Sequence, residues 1–352
     1  MTISNTNVQA VGLDLMNKYS RQFADYSSSN GGKVFSCFSC GGGSTMGYKL
    51  AGFEVLGNCE IDEKINTMYV KNHNPKYNYH MDIRNLESID LPKDLYDLDI
   101  LDGSPPCSSF SMAGDRGKSW GKVKSFREGQ AKQRLDDLFF EYIALAKRLK
   151  PKVVVAENVK GLTSGAAKGY VNKIINDFDD AGYDVQIFML NAAFMDVPQR
   201  RERVFFIAGR KDLVLPKIKM EFNCEPISFG SVRSEKGVPL TKSKVYENLL
   251  KQRRRTDASI ADIYERVHGK RSGMNSKIDS DKRVASTLIS GGSHFRMHDG
   301  MRLSDNDCIA ISTFPVDYDF CGQSVKYVCG MSVPPKMMYH IATQINEQWL
   351  RK

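Results

Sequence analysis

The sequence predicts an α/β protein: a doubly wound, mostly parallel, Rossmann-like sheet with a smaller second domain. Three observations predict it. Between residues 33 and 210, short β-rich runs alternate with amphipathic helical runs, the pattern of a parallel sheet covered on both faces. A glycine-rich turn directly follows the first of those runs. The chain has 352 residues, too long for one small domain, and the alternation stops near residue 210.

Residues 1–32 read as an N-terminal extension, with one amphipathic helix over Val11–Phe23 and a linker over Ser27–Gly32. The runs Val34–Phe38, Val55–Cys59, Asp99–Leu101, Val153–Ala156, Val185–Leu190 and Val204–Ala208 read as strands. Glu63–Asn72, Leu135–Leu149 and Ala167–Ala181 read as helices between them, and a helix containing Gly47 follows the glycine-rich turn. Residues 33–210 are thus the expected main domain. Residues 211–321 lose the rhythm and become basic, which sets them apart as a second domain. Residues 322–352, ending in a helix from about Pro335 to Leu350, are expected to return to the main domain.

Composition narrows the function. No apolar run approaches the roughly 20 residues of a membrane span, so a membrane partner is excluded. Asp14 interrupts the first apolar stretch and no basic residue precedes it, which argues against an export signal and for the cytoplasm. The eight cysteines are scattered, and none of their spacings is that of a zinc site, so neither a disulfide framework nor a metal is expected. Lys and Arg number 50 against 41 Asp and Glu, a net charge of +9. Residues 211–300 alone hold 18 basic and 11 acidic residues, so most of the surplus lies in one segment, as in a protein that meets a polyanion. An ordinary solvated surface has the same composition, and charge alone leaves both readings open.

Four motifs carry chemistry. Ser39-Cys40-Gly41-Gly42-Gly43 follows the first strand, and Glu60 ends the second, where a carboxylate can bind a ribose hydroxyl. On its own this pair suits NAD, FAD, S-adenosylmethionine or a plain tight turn. Gly103-Ser104-Pro105-Pro106-Cys107 follows the third strand, at the carboxyl edge of the sheet where ligands bind. Glu157-Asn158-Val159 closes the next strand at the same edge, and Gln199-Arg200-Arg201-Glu202-Arg203 enters the last. A buried thiol and a surface ion-pair set are the bland alternatives for these, taken one at a time.

Taken together and in this order, the motifs resemble the cytosine carbon-5 DNA methyltransferases. The resemblance runs from about Lys33 to Ile345 and includes Phe314-Pro315 and Gly330-Met331-Ser332-Val333-Pro334-Pro335. It implies a class I methyltransferase fold, S-adenosylmethionine as cofactor and double-stranded DNA as partner, with a monomeric enzyme encoded by a bacterium or phage. It makes Cys107 the nucleophile that adds to carbon 6 of a flipped-out cytosine. Glu157 would hold a proton at ring nitrogen 3, Arg203 would hold Glu157 and the cytosine carbonyl, and Asn158 would order the loop. Arg201 would face the nucleophile loop or a phosphate. The cofactor residues implied are Phe38, Cys40, Gly41, Gly43, Glu60, Ile61, Asp82 and Pro106, with Phe38 beside the adenine and Asp82 at its amino group. The DNA contacts implied are Ser111, at the start of a closing segment that runs on over Gly114–Gln133, and Thr287, Gly291 and Arg296 in a Thr-Leu recognition element. The basic second domain would choose the target sequence.

The chain departs from the family at several places: Cys40 stands for a Gly, Ser108 for a Gln, Asp307 for a Glu, and Arg302 is one place off the usual Arg. Other readings are tRNA cytosine methylation, against which Ser111 stands in place of a Thr, and an inactive DNA-binding relative. A nicotinamide oxidoreductase would leave the Pro-Pro-Cys and Glu-Asn-Val motifs unexplained.

Overall fold

The computed structural model describes residues 31–106, 137–163, 167–240 and 243–351. The expected helix Val11–Phe23, the nucleophile Cys107, Ser111 and the segment Gly114–Gln133 lie outside the described residues.

The described chain forms two compact units. Ala192–Arg201 and Phe222–Met337 make one, and the remaining described residues make the other. The second of these is built on a seven-stranded sheet. Its strands are β1 (Lys33–Cys37), β2 (Glu54–Glu60), β3 (Tyr77–His80), β4 (Ile100–Gly103), β5 (Val153–Val159), β6 (Tyr183–Asn191) and β7 (Glu202–Arg210), in the order β3-β2-β1-β4-β5-β7-β6. All neighbours run parallel except those of β7, which is antiparallel to β5 and β6. The central strands are near-continuous apolar runs because both their faces are covered: Val153–Ala156 and Val204–Ala208 are fully buried.

The helices α1 (Gly43–Leu50), α2 (Glu63–His73), α3 (Leu138–Leu149) and α4 (Lys168–Asp180) lie within a few residues of their expected places. Asp62 caps α2 by accepting from the Ile65 amide, and Asn74 ends it at φ 44°. The carboxyl-terminal helix Pro335–Ile345 runs on into a wider last turn, Asn346–Leu350. Strand β3 was not expected. Its four residues alternate half-buried Tyr with exposed Asn and His, too short and too polar for an apolar run.

The other unit holds short strands and short helices around Leu249, Leu250, Ile260, Ile263, Ile278 and Phe295. Ser243, Ser259, Ser304 and Ser324 each start a helix there by accepting a backbone amide three residues on.

The boundaries differ from the sequence reading in three places. Residues 211–221 stay with the sheet unit because the Gln186 side chain exchanges two hydrogen bonds with the Ile218 backbone, and the Trp349 indole donates to the Pro216 carbonyl. Residues 192–201 belong to the other unit because Gln199–Arg200 pairs with Ala285–Ser286. Residues 322–337 belong there too, rather than with the returning segment. Gly330 lies so close to the Ile289–Ser290 backbone that a Cβ on it would stand 2.6 Å from the Ser290 nitrogen.

Candidate active site

The glycine-rich turn leaves β1 through a backbone of unusual hand. Phe38, Cys40 and Gly42 all have positive φ, at 51°, 46° and 69°. Gly41 and Gly43 are buried beside them, and α1 opens at Gly43. The Cys40-for-Gly departure is thereby explained in backbone terms: the cysteine adopts the conformation a glycine would favour, at a cost of about 1 kcal/mol. Glu60 fixes this turn. Its two carboxylate oxygens accept from the Cys40 amide at 2.9 Å and the Asp62 amide at 3.0 Å. Burial raises the Glu60 carboxyl above its ordinary range, and the amide hydrogen bonds pull the other way.

A carboxylate oxygen can accept more than one hydrogen bond, so both oxygens of Glu60 keep capacity for ribose hydroxyls. The donor-rich turn and this carboxylate fit an adenosine cofactor. Ile61 follows, its carbonyl 3.2 Å from His80 Nε2. Asp82 caps the next turn by accepting from the Arg84 amide, and its other oxygen pairs with the Arg84 guanidinium at 2.8 Å. The Phe38 ring faces Tyr142 with centroids 6.4 Å apart.

At the end of β4 the chain turns through Ser104, Pro105 and Pro106 toward Cys107. The Asn158 amide donates to the Pro105 carbonyl at 3.1 Å, and its oxygen accepts from the Val159 amide at 2.9 Å. The next residue back, Glu157, is paired through Oε1 with Arg203 Nε at 2.9 Å, both side chains being mostly buried. Arg203 also donates to the Glu202 carbonyl. Burial lowers the Arg203 guanidinium from its ordinary range, and Glu157 opposes that. Beneath the turn, the Tyr142 hydroxyl lies 2.8 Å from the carbonyls of Leu101 and Val155 and donates to one or the other. Gly103 is needed above it, since a Cβ there would sit 2.6 Å from the Tyr142 ring. Glu157, Asn158, Arg203 and the turn before Cys107 thus come together at one sheet edge.

The other predicted residues divide. Thr287 donates to the Arg200 carbonyl at 2.6 Å, and Gly291 offers its carbonyl to Lys326. Arg201 is 1% exposed, and its two terminal nitrogens donate to the carbonyls of Leu288 and Gly330, each at 3.0 Å. The nucleophile loop it is expected to face lies outside the described residues.

Arg296 departs from the sequence reading. It is fully buried, paired with Asp299 at 3.0 Å and Asp307 at 3.5 Å, so its charge is spent inside the unit and not on DNA. Nearby His294 is likewise buried against Asp279. Arg296, not Arg302, is therefore the guanidinium partner of Asp307, while Arg302 donates to the Pro239 carbonyl.

Two residues carry roles the sequence reading does not assign. Gln199 is fully buried and clasps the Leu288 amide and the Ile311 carbonyl. The signal was available: in Gln199-Arg200-Arg201 a strand alternates faces, and Gln199 and Arg201 share the inward one while Arg200 is exposed. Asp102, a buried carboxylate in β4, gave no such signal, because a strand sequence does not tell which of its faces is dry.

A family model for C-5 cytosine-specific DNA methylase matches residues 32–347. Type II methyltransferase M.FnuDI of Fusobacterium nucleatum is 31% identical over 350 residues, covering 90% of this chain and 94% of that one. Type II methyltransferase M.MthTI of Methanothermobacter thermautotrophicus is 27% identical, over 89% of this chain and 97% of that one. In fold, the chain is similar to Spodoptera frugiperda DNMT2, with a TM-score of 0.60 and 17% identity over 89% of this chain and 99% of that one.

Proposed function

We propose a mechanism from one premise: the chain belongs to the C-5 cytosine-specific DNA methylase family, whose reaction is transfer of a methyl group to carbon 5 of cytosine in DNA. The methyl donor is S-adenosylmethionine, which when bound supplies an electrophilic methyl group. The turn Phe38–Gly43 and Glu60 would hold its ribose, with Ile61, Asp82 and Phe38 around the adenine and Pro106 at the inner end of the site.

Carbon 5 of cytosine is a weak nucleophile and is hidden in the stacked duplex, so the base is flipped out. The thiolate of Cys107 adds to carbon 6, which turns the ring into an enamine nucleophilic at carbon 5. Glu157 holds a proton at ring nitrogen 3 as charge develops there, and Arg203 keeps Glu157 in place and reaches the ring carbonyl. Carbon 5 takes the methyl group and S-adenosylhomocysteine is left; the carbon-5 proton then goes to a base, the Cys107–carbon 6 bond breaks, and 5-methylcytosine is released.

One observation carries this reading. Consecutive residues of β5 make the two contacts the reading needs: Asn158 donates to the Pro105 carbonyl, two residues before Cys107 in sequence, and Glu157 is paired with Arg203. The non-sheet unit, with its basic surplus, chooses the sequence. The test is a transfer assay with methyl-labelled S-adenosylmethionine on duplex DNA and on tRNA. Label recovered as 5-methyldeoxycytidine supports the reading, and label confined to tRNA, or absent from both, overturns it.

A further inference from the structure

The strand leading to the nucleophile turn carries a carboxylate that this mechanism does not use. Asp102 is 2% exposed. It stands opposite Ser36 in the β1–β4 pairing, and Ser36 Oγ donates to its Oδ2 at 2.8 Å. Tyr48, on α1, donates to its Oδ1 at 3.3 Å. Among the described residues its carboxylate makes no ion pair.

Three elements meet at this one group. β1 and α1 flank the turn Phe38–Gly42, and β4 continues within four residues to Pro106. An ionised carboxylate accepts both hydroxyls as charge-assisted bonds. A protonated one turns one of its oxygens into a donor, so one of the two hydroxyls must reverse its weaker, uncharged bond or lose it.

We propose that Asp102 is a positioning residue whose ionised form holds the cofactor turn and the nucleophile turn in register, and whose protonation slackens both. The inference rests on reading Phe38–Gly43 as the cofactor turn. Burial pushes the Asp102 carboxyl up to about 7, the two hydroxyls oppose the rise, and the charge of Glu157 adds to it. Among the described residues, the other groups that feel its charge are Tyr48, Tyr69, Tyr142 and Cys37. Burial holds all four protonated well above neutral, so they do not titrate with it. Glu60, at the end of β2 and itself raised by burial, is a second carboxyl held to the cofactor turn, and a variant at Asp102 separates the two.

The test is calorimetric binding of S-adenosylhomocysteine across about pH 6 to 8, with DNA methylation measured in parallel. Wild-type affinity should weaken about three- to tenfold as pH falls through neutrality, and Asp102→Asn should bind with little pH dependence. Tyr48→Phe and Ser36→Ala keep the carboxylate but remove a donor that favours its ionised form. Each should move the midpoint to higher pH. A flat wild-type profile, an Asp102→Asn profile that tracks the wild type, or an unmoved midpoint in both donor variants overturns the proposal. Covalent capture of DNA by Cys107 is a separate readout: its failure in the wild type would overturn the mechanism above without touching this result.

Discussion

Asn158 and Glu157 are neighbours on one strand with separable duties, and substitutions should separate them. Asn158→Ala frees the Pro105 carbonyl and leaves the cofactor turn intact. Turnover should fall about ten- to a hundredfold, the loss expected when a reacting group is misplaced by an ångström or so, while S-adenosylhomocysteine affinity stays put. A parallel loss of both would contradict the division of labour. Glu157→Ala strands the largely buried Arg203, which should destabilise the fold by about 3 kcal/mol besides abolishing activity; chemical denaturation measures it.

Asp102 adds a pH dependence of stability. Its carboxyl stands at about 7 in the fold against an ordinary 3.8, so the native chain holds a proton the unfolded chain has released. Stability contributed by this group is therefore full below the lower value and is lost as pH rises toward the upper one. Asp102→Asn should melt higher than the wild type at pH 8 and match it near pH 4. The sequence marked Glu157, Asn158 and Arg203 because their motifs sit at strand ends. It misplaced Arg296, since an arginine in a basic segment reads as a surface charge until its partners, two aspartates, are seen.

At the scale of elements, the segment Thr287–Leu288 is held by the strand that precedes β7. Gln199 takes the Leu288 amide, Arg201 its carbonyl, and Arg200 offers a carbonyl to Thr287. Arg201→Ala leaves two buried carbonyls without their charged donor, a loss of about 1.5–3 kcal/mol for each bond. Amide exchange should quicken over residues 287–290 and 328–332, with cofactor affinity unchanged. Unaltered exchange would show that the clasp is ornamental. The strands and helices of the sheet were legible because apolar runs of strand length alternate with amphipathic runs of helix length. Strand β3 was not, for it is an edge strand of four residues whose tyrosines are only half-buried, too short for its alternation to stand out.

The whole molecule divides at positions that pattern did not reveal. The basic segment begins where the strand rhythm stops, but its first residues, 211–221, are tied back to the sheet through Gln186 and Trp349. A segment exchange with a relative bounded at 222 and 337, together with 192–201, should therefore fold and change the methylated sequence. The same exchange bounded at 211 and 321 should melt lower, because it severs the Gln186–Ile218 bonds and parts Gly330 from its fitted neighbours. Equal stability of the two chimaeras would contradict the boundary. Binding to DNA should also weaken steeply with salt, as the surplus of basic residues over 211–300 implies.

The claim on which the rest depends is covalent attack by Cys107, and trapping tests it most directly. Duplex DNA carrying 5-fluorocytosine at the target blocks the loss from carbon 5 that frees the enzyme. With S-adenosylmethionine present, the wild type should form a stable adduct that peptide mass spectrometry places on Cys107. Cys107→Ser should form none while still binding DNA, and Glu157→Gln should form it slowly. An adduct on another cysteine, or near-normal methylation by Cys107→Ser, would contradict the account.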